Sequence, residues 1–389
     1  MQSINLDRKE DPIRYPSLSK LRILPCIAGA TLLLSASANH AQTYKVIDLG
    51  TYPGDVRSIA NGVDDAGDVV GTSFSAGSPD PVVSPPQSHA FLRKHDGHGH
   101  LIDLGLSGME SQASGVVGRQ TNDWDNDRDD ERNKLRITGA AGVDPQHYTA
   151  YLYQDHLVRY LGDLPGGRYS VGMAVNRRGE VAGVADNENG LARPFLYKNG
   201  NLINLGSLAD NGFAVAYAIN DRGDVVGYSD TPDFATDAFL YTDHQMMDIG
   251  GLPGSSFNVA SAINNAGQIA GTSSGTGSQA WRWENGIFTT IPPLTGGKDT
   301  VAYGINQFGT VVGSADLPDF PAGSDILVAH AFIYDNCGTK DLNDLISSDS
   351  GWVLNTAQSI NDRGEIVGGG TIQGESHAFL LKPIRNHHN

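Results

Sequence analysis

An aromatic-centred tetrapeptide returns seven times along the chain. The copies are His89-Ala90-Phe91-Leu92, Thr149-Ala150-Tyr151-Leu152, Arg193-Pro194-Phe195-Leu196, Asp237-Ala238-Phe239-Leu240, Gln279-Ala280-Trp281-Arg282, His330-Ala331-Phe332-Ile333 and His377-Ala378-Phe379-Leu380. A second phrase precedes most of them, as in Ala218-Ile219-Asn220-Asp221-Arg222-Gly223-Asp224-Val225-Val226-Gly227, with close versions at Val63 to Gly71, Val175 to Gly183, Ile263 to Gly271, Ile305 to Gly313 and Ile360 to Gly368. A repeated supersecondary unit cannot bury its apolar face alone and must stack on its neighbours, so the period decides the architecture. Residues 44–383 number 340, and 340 divided by seven is about 49 per unit, near the roughly 40–50 residues of four-stranded propeller blades.

Within a unit, four short apolar segments are bounded by Gly, Asn and Asp, as at Phe213 to Ile219, Asp224 to Tyr228, Asp237 to Tyr241 and Gln245 to Ile249. Segments of this length and punctuation read as strands. The Asn-Asp-Arg-Gly turn between the first two fits a tight hairpin in which Gly223 takes a positive φ. In the first strand Phe213, Val215, Tyr217 and Ile219 alternate with Ala214, Ala216 and Ala218. Period-two alternation puts bulky groups on one face and small ones on the other, which places this strand innermost, where radial sheets converge. The seventh unit lacks a fourth strand, while Tyr44 to Gly50 stands alone before the first. The expected fold is therefore all-β: a seven-bladed β-propeller of four-stranded blades, closed by the N-terminal strand completing the last blade. A solenoid is the competing arrangement, but four strands per unit with slim inner positions favour radial closure.

The phrases His-Ala-Phe-Leu, Asp-Leu-Gly (as at Asp103-Leu104-Gly105) and Ile-Asn-x-x-Gly-x-Val-Val-Gly resemble the HAF family of extracellular repeat proteins, over essentially all of residues 44–383. Unit two departs most, with an insertion after Gly118, and unit five shows Thr289-Thr290-Ile291 where others have Asp-Leu-Gly. The resemblance implies an exported repeat protein and supplies no catalytic residues.

Residues 1–41 read as a secretory signal peptide: basic residues up to Arg22, an apolar run from Ile23 to Ala38, and a small-residue end at Ala36-Ser37-Ala38. The run is 16 residues, shorter than the roughly 20 that a membrane span needs. Residues 42–383 form the repeat domain and 384–389 a disordered C-terminal tail. The 48 Gly in 389 residues, about 12% against an average near 7%, suit a turn-rich β protein. Without residues 1–41 the charge is 22 minus 41, or −19, so acidic that a nucleic-acid partner is disfavoured. A monomer without a membrane span is expected.

Several constellations invite a functional reading. His89, His330 and His377 recur in the third strand, but Thr149, Arg193, Asp237 and Gln279 replace them in sister units, so a structural hydrogen bond accounts for them better than catalysis. Asp123, Asp125 and Asp127 begin like a calcium loop, yet Arg128 and Lys134 stand where Gly and Glu belong; calcium is the one cofactor to consider, against a solvated charged loop. His95, His98 and His100 crowd a hairpin turn. Gly271-Thr272-Ser273-Ser274-Gly275 matches a nucleophile elbow but has no helix behind it. The long connections from second to third strands carry the best ligand-binding candidates, Asp230, Asp233 and Phe234 in one and Asp316, Asp319 and Phe320 in another, each beside a rigid Pro. The opposing reading is an Asx turn with Phe tucked beneath it. The resulting expectation is a non-enzymatic binding or scaffold module for a glycan or extracellular protein on the loop-rich face. The alternative is a glycan hydrolase or lyase with carboxylates near the channel; a purely structural surface component is the third.

Overall fold

In the computed structural model the described residues are 43–76, 87–95, 99–106, 110–118, 134–144, 147–317 and 329–384. The expected signal peptide lies outside them. They hold 28 β-strands, and the only helical segments are two single 3₁₀ turns, Leu342–Leu345 and Ser348–Ser350. None is long and apolar enough to cross a membrane.

The strands fall into antiparallel groups of four that follow the sequence units. The units span residues 55–103, 111–162, 170–204, 214–250, 257–290, 300–341 and 352–383, numbered one to seven below. Single parallel bridges, Arg57 to Ser376 and Thr236 to Phe257, join neighbouring groups into eight-stranded sheets. The strand Tyr44–Gly50 pairs antiparallel with Glu375–Pro383 as the fourth strand of unit seven. Ile384, at the start of the expected tail, donates its N–H to the Thr43 carbonyl at 2.8 Å.

Register explains the repeated phrases. In the six units that carry the second phrase, its last glycine sits opposite the aromatic of the tetrapeptide, as in Gly71 with Phe91, Gly227 with Phe239, Gly271 with Trp281 and Gly368 with Phe379; in unit two, which lacks the phrase, Gly139 takes that place opposite Tyr151. On its other side Gly227 faces Ala216 of the inner strand. A Cβ on Gly227 would collide with the Val215 carbonyl oxygen. The aromatics, Phe91, Tyr151, Phe195, Phe239, Trp281, Phe332 and Phe379, are all fully buried. The slim row of Ala and Gly thus makes room for one large ring per unit, and these rings fill the core between sheets.

The turns between first and second strands form a linked network. Gly223 adopts φ 91°, as the turn requires. Asn220 Oδ1 accepts from the N–H groups of Arg222 and Asp224, and its Nδ2 reaches the carbonyl of Asn264 in the next unit at 3.2 Å. The same side-chain link runs from Asn176 to Asn220, Asn264 to Asn306, Asn306 to Asn361 and Asn361 to Asp64. One residue further on, Asp221, Asn265, Gln307, Asp362 and Asp65 each accept a backbone N–H from the preceding unit. Arg177 closes over this end, donating to Asp65 at 2.9 Å and Asp221 at 3.1 Å.

The regular alternation expected of the inner strand is not kept. Val215 and Ile219 are buried among apolar neighbours, Phe213 is exposed, and Tyr217 is half-buried. The cause is a β-bulge at Tyr217, which breaks the period of two.

Candidate functional site

Every inner strand carries that bulge at the equivalent place. The register slips between Ala60 and Gly62, Ala113 and Gly115, Gly172 and Ala174, Ala216 and Ala218, Ala260 and Ala262, Ala302 and Gly304, and Ala357 and Ser359. A bulge leaves one residue outside the ladder and re-aims its side chain. The seven residues so released are Asn61, Ser114, Met173, Tyr217, Ser261, Tyr303 and Gln358. All seven line a single cavity of about 560 Å³, within the ~300–1,000 Å³ typical of small-molecule sites.

The cavity has two kinds of wall. Units four, five and six supply Tyr217, Phe257 and Tyr303. Behind them Tyr228 stands 6.0 Å from the Tyr217 ring and 5.7 Å from that of Phe257, ring-centre to ring-centre. Units seven, one and two supply Gln358, Asn61, Gln112 and Ser114. Asn61 is held in place by its Nδ2, which donates to the Ala113 carbonyl at 2.8 Å, leaving its oxygen as the acceptor. Among the described residues, no carboxylate, imidazole, ammonium or guanidinium belongs to the lining. Burial first, then Tyr228 for Tyr217 and Asp230 for Tyr228, pushes the two phenols above their ordinary range, so both stay neutral. Phe257, Ser274 and Ser278 mark the mouth, at the end of the strands remote from the Asn-x-x-Gly turns.

The sequence candidates lie on the mouth side. Asp230 ends the second strand of unit four; its carboxylate accepts from the Phe213 N–H at 2.9 Å and the Thr236 hydroxyl at 3.1 Å. Asp233 accepts from the Thr231 hydroxyl at 2.5 Å, which holds its carboxyl below the usual range. Phe234 is not tucked under the loop: it is 99% exposed at φ 65°, two residues from Thr236, which bridges Phe257. Asp316 accepts from the N–H groups of Lys298 and Asp299 at 2.7 Å. Asp230 and Asp316 therefore brace the neighbouring connection, while Phe234 is presented to solvent. Asp319 and Phe320 fall outside the described residues, as do the calcium candidates Asp123, Asp125 and Asp127. Among the described residues no cluster of three His, Cys, Asp or Glu could hold a metal.

The third-strand histidines bond structural carboxylates: His89 with Asp55 at 3.0 Å, His330 with Asp341 at 2.6 Å, His377 with Asp48 at 3.0 Å. In units six and seven the tetrapeptide His thus meets the Asp of the fourth-strand phrase. Ser273, the centre of the elbow-like pattern, is buried, and its hydroxyl accepts from Trp281 Nε1 and the Leu252 N–H; it is a packing residue. The bulge residues themselves went unnoticed in the sequence. Their signal is positional. Each lies directly after a Gly or Ala and, outside unit two, three residues before the Asn or Asp of the turn, and it varies in size and polarity between units while the residue before it stays small.

A family model described as a protein of unknown function, DUF3466, matches residues 207–382. No curated protein matches the sequence. Among solved structures the chain is similar to a puromycin-hydrolysing peptidase of Mycobacterium tuberculosis, at 13% identity and a TM-score of 0.50, over 89% of this chain and 56% of that one. It is also similar to a mutant puromycin hydrolase, at 14% identity and TM-score 0.48, over 82% and 50%, and to a putative TolB from Agrobacterium tumefaciens, at 13% and 0.38, over 65% and 86%. The chain spans about half the length of the two puromycin-hydrolysing proteins. At these identities the likeness concerns the fold alone, which is all-β and propeller-like.

Proposed function

We propose that the protein is an exported, HAF-type binding module: a seven-bladed propeller, closed where Tyr44–Gly50 completes the last unit, that holds its ligand in the axial cavity. The turn-to-turn links that run from unit three round to unit one, and the lining contributed by every unit, support the closed ring. The observation that carries the functional reading is the character of that lining. A hydrolase or lyase working there would need carboxylates in contrasting environments flanking the scissile bond, whereas the lining offers hydroxyls, amides and aromatic rings. Such a surface orients a ligand without transferring protons to it. The loop-rich face around Asp230, Asp233 and Phe234, with Asp316 at the start of the next long connection, provides outer contacts for a glycan or protein.

The test is a cavity-filling substitution. Purified protein is screened against a mixed array of oligosaccharides, peptides and small aromatics, and hits are re-measured on Ser261→Trp. Binding lost in Ser261→Trp at an unchanged melting temperature supports the reading. Hits that bind Ser261→Trp as well as the wild type place the ligand elsewhere, and turnover of a hit favours the enzyme.

A further inference from the structure

We infer that the ligand class is an uncharged oligosaccharide, bound end-on with its terminal sugar rings against the aromatic wall; this rests on the cavity being the binding site. The lining divides into an aromatic side, Tyr217, Phe257 and Tyr303, and an amide and hydroxyl side that includes Asn61, Gln112 and Gln358. A pyranose ring has the matching anatomy: an apolar C–H face and a rim of hydroxyls that both donate and accept. Amides and hydroxyls likewise do both. A charged ligand would give up its hydration with no counter-charge among the described lining residues, which is costly. An extended peptide would lay a row of backbone N–H and C=O groups along a ring-faced wall that cannot pair them.

The lip points the same way. The residue that opens the inner strand at the mouth is aromatic in three consecutive units, Tyr169, Phe213 and Phe257, each about half exposed. The equivalent places in units one, two and six hold Arg57, Glu110 and Asp299. Phe234 stands beside this sector, fully exposed. Solvent-exposed rings cost hydration and are retained where something covers them. From Phe257 at the rim the rings of Tyr228 and Tyr217 follow at centre-to-centre steps of 5.7 and 6.0 Å, a succession of aromatic surface that suits a chain rather than a monosaccharide.

Isothermal calorimetry with cellohexaose, mannohexaose and chitohexaose, against hexagalacturonate and a proline-rich decapeptide, tests this. At least one uncharged hexasaccharide is expected to bind. Phe257→Ala and Tyr217→Ala should each weaken it by about tenfold or more, corresponding to the loss of a stacking partner. Phe257→Tyr, which keeps a ring, should restore it, and Phe308→Ala, an exposed ring on the turn side, should leave it unchanged. The inference is overturned if none of the three binds, or if Phe257→Ala binds as tightly as the wild type. Should only hexagalacturonate or the peptide bind, and Ser261→Trp abolish that binding, the ligand class is wrong while the cavity reading stands. An uncharged sugar that binds Ser261→Trp normally refutes both.

Discussion

Replacing Asp64 with Asn should stabilise the protein, and by more as the pH rises. In units three to seven the turn opens with Asn176, Asn220, Asn264, Asn306 or Asn361, and each uses Nδ2 to reach the next unit. Unit one has Asp64 in that place. Its Oδ1 accepts from the Asp68 N–H at 2.9 Å, but its Oδ2 is buried with no hydrogen-bond partner among the described residues, in a residue only 4% exposed. Burial first, and the Asp68 carboxylate second, push the Asp64 carboxyl from 3.8 up to about 7. Because the folded pKa lies above the unfolded one, the folded state binds the extra proton. Its contribution is fully present below about pH 3.8 and is lost as the pH rises through about 7. A shift of roughly three units at 1.36 kcal/mol each amounts to about 4 kcal/mol above pH 7. Asn neither titrates nor repels Asp68. With an unfolding entropy of ~0.7 kcal/mol/K for a domain of roughly 340 residues, 4 kcal/mol corresponds to a rise in Tm of about 6 °C. Scanning calorimetry of both proteins from pH 4 to 8.5 should show Tm values that nearly coincide at pH 4 and diverge toward pH 8. Parallel curves, or an Asp64→Asn variant that melts lower than the wild type at pH 8, would refute the reasoning.

Deleting residues 44–50 removes the partner of Glu375–Pro383 and the buried side chains of Tyr44 and Leu49; at ~1.5–3 kcal/mol per buried apolar side chain, a loss of ~5 kcal/mol or more is expected in calorimetry, and an unchanged Tm would count against the closed ring. Gly227→Ala forces a methyl group against the Val215 carbonyl and should lower stability by ~2–3 kcal/mol in a urea titration, while Gly206→Ala, at a glycine with open space around it but positive φ, should cost only ~1 kcal/mol. Arg177→Met leaves Asp65 and Asp221 without their shared cation; because burial and Asp65 already raise the Asp362 carboxyl, the loss should reach ~1–3 kcal/mol at pH 8 and shrink as the pH falls and Asp362 protonates. A loss independent of pH would show that Arg177 acts by packing alone.

The repeated phrases were legible because each is fixed by geometry that recurs in every unit. The aromatic at Phe239, the glycine opposite it and the turn glycine Gly223 have no substitute that fits, so their spacing announces strands and a tight turn. The orphan strand at Tyr44 was legible as a deficit in the seventh unit, and it pairs where that deficit lies. The cavity was not legible, because a bulge is an exception to the period of two from which strands are read. Tyr217 looked like one more bulky residue in an alternating row, whereas the displaced register turns it out of the sheet. Asp230 was found for its chemistry and sits near the mouth, yet its carboxylate is engaged by Phe213 and Thr236. Nothing in the local sequence separates an Asp that braces a loop from one that meets a ligand.

The bulge also explains how a repeat with so little freedom can carry a specific site. A residue within the ladder has neighbours above, below and across that restrict its size; Ala216, Gly227 and Phe239 in one row leave no latitude. The residue skipped by the ladder lines the cavity instead, with few neighbours such as the Ala113 carbonyl beside Asn61 or the Tyr228 ring beside Tyr217. Asn, Ser, Met, Tyr and Gln can therefore stand at that position in successive units without disturbing the sheet. On the proposed reading, seven such positions make recognition independent of the folding phrases. It follows that exchanging Ser261 for Asn, or Gln358 for Ser, should alter ligand choice with little effect on Tm, whereas the same exchanges one residue earlier, at Ala260 or Ala357, should unfold the unit before they change what it binds.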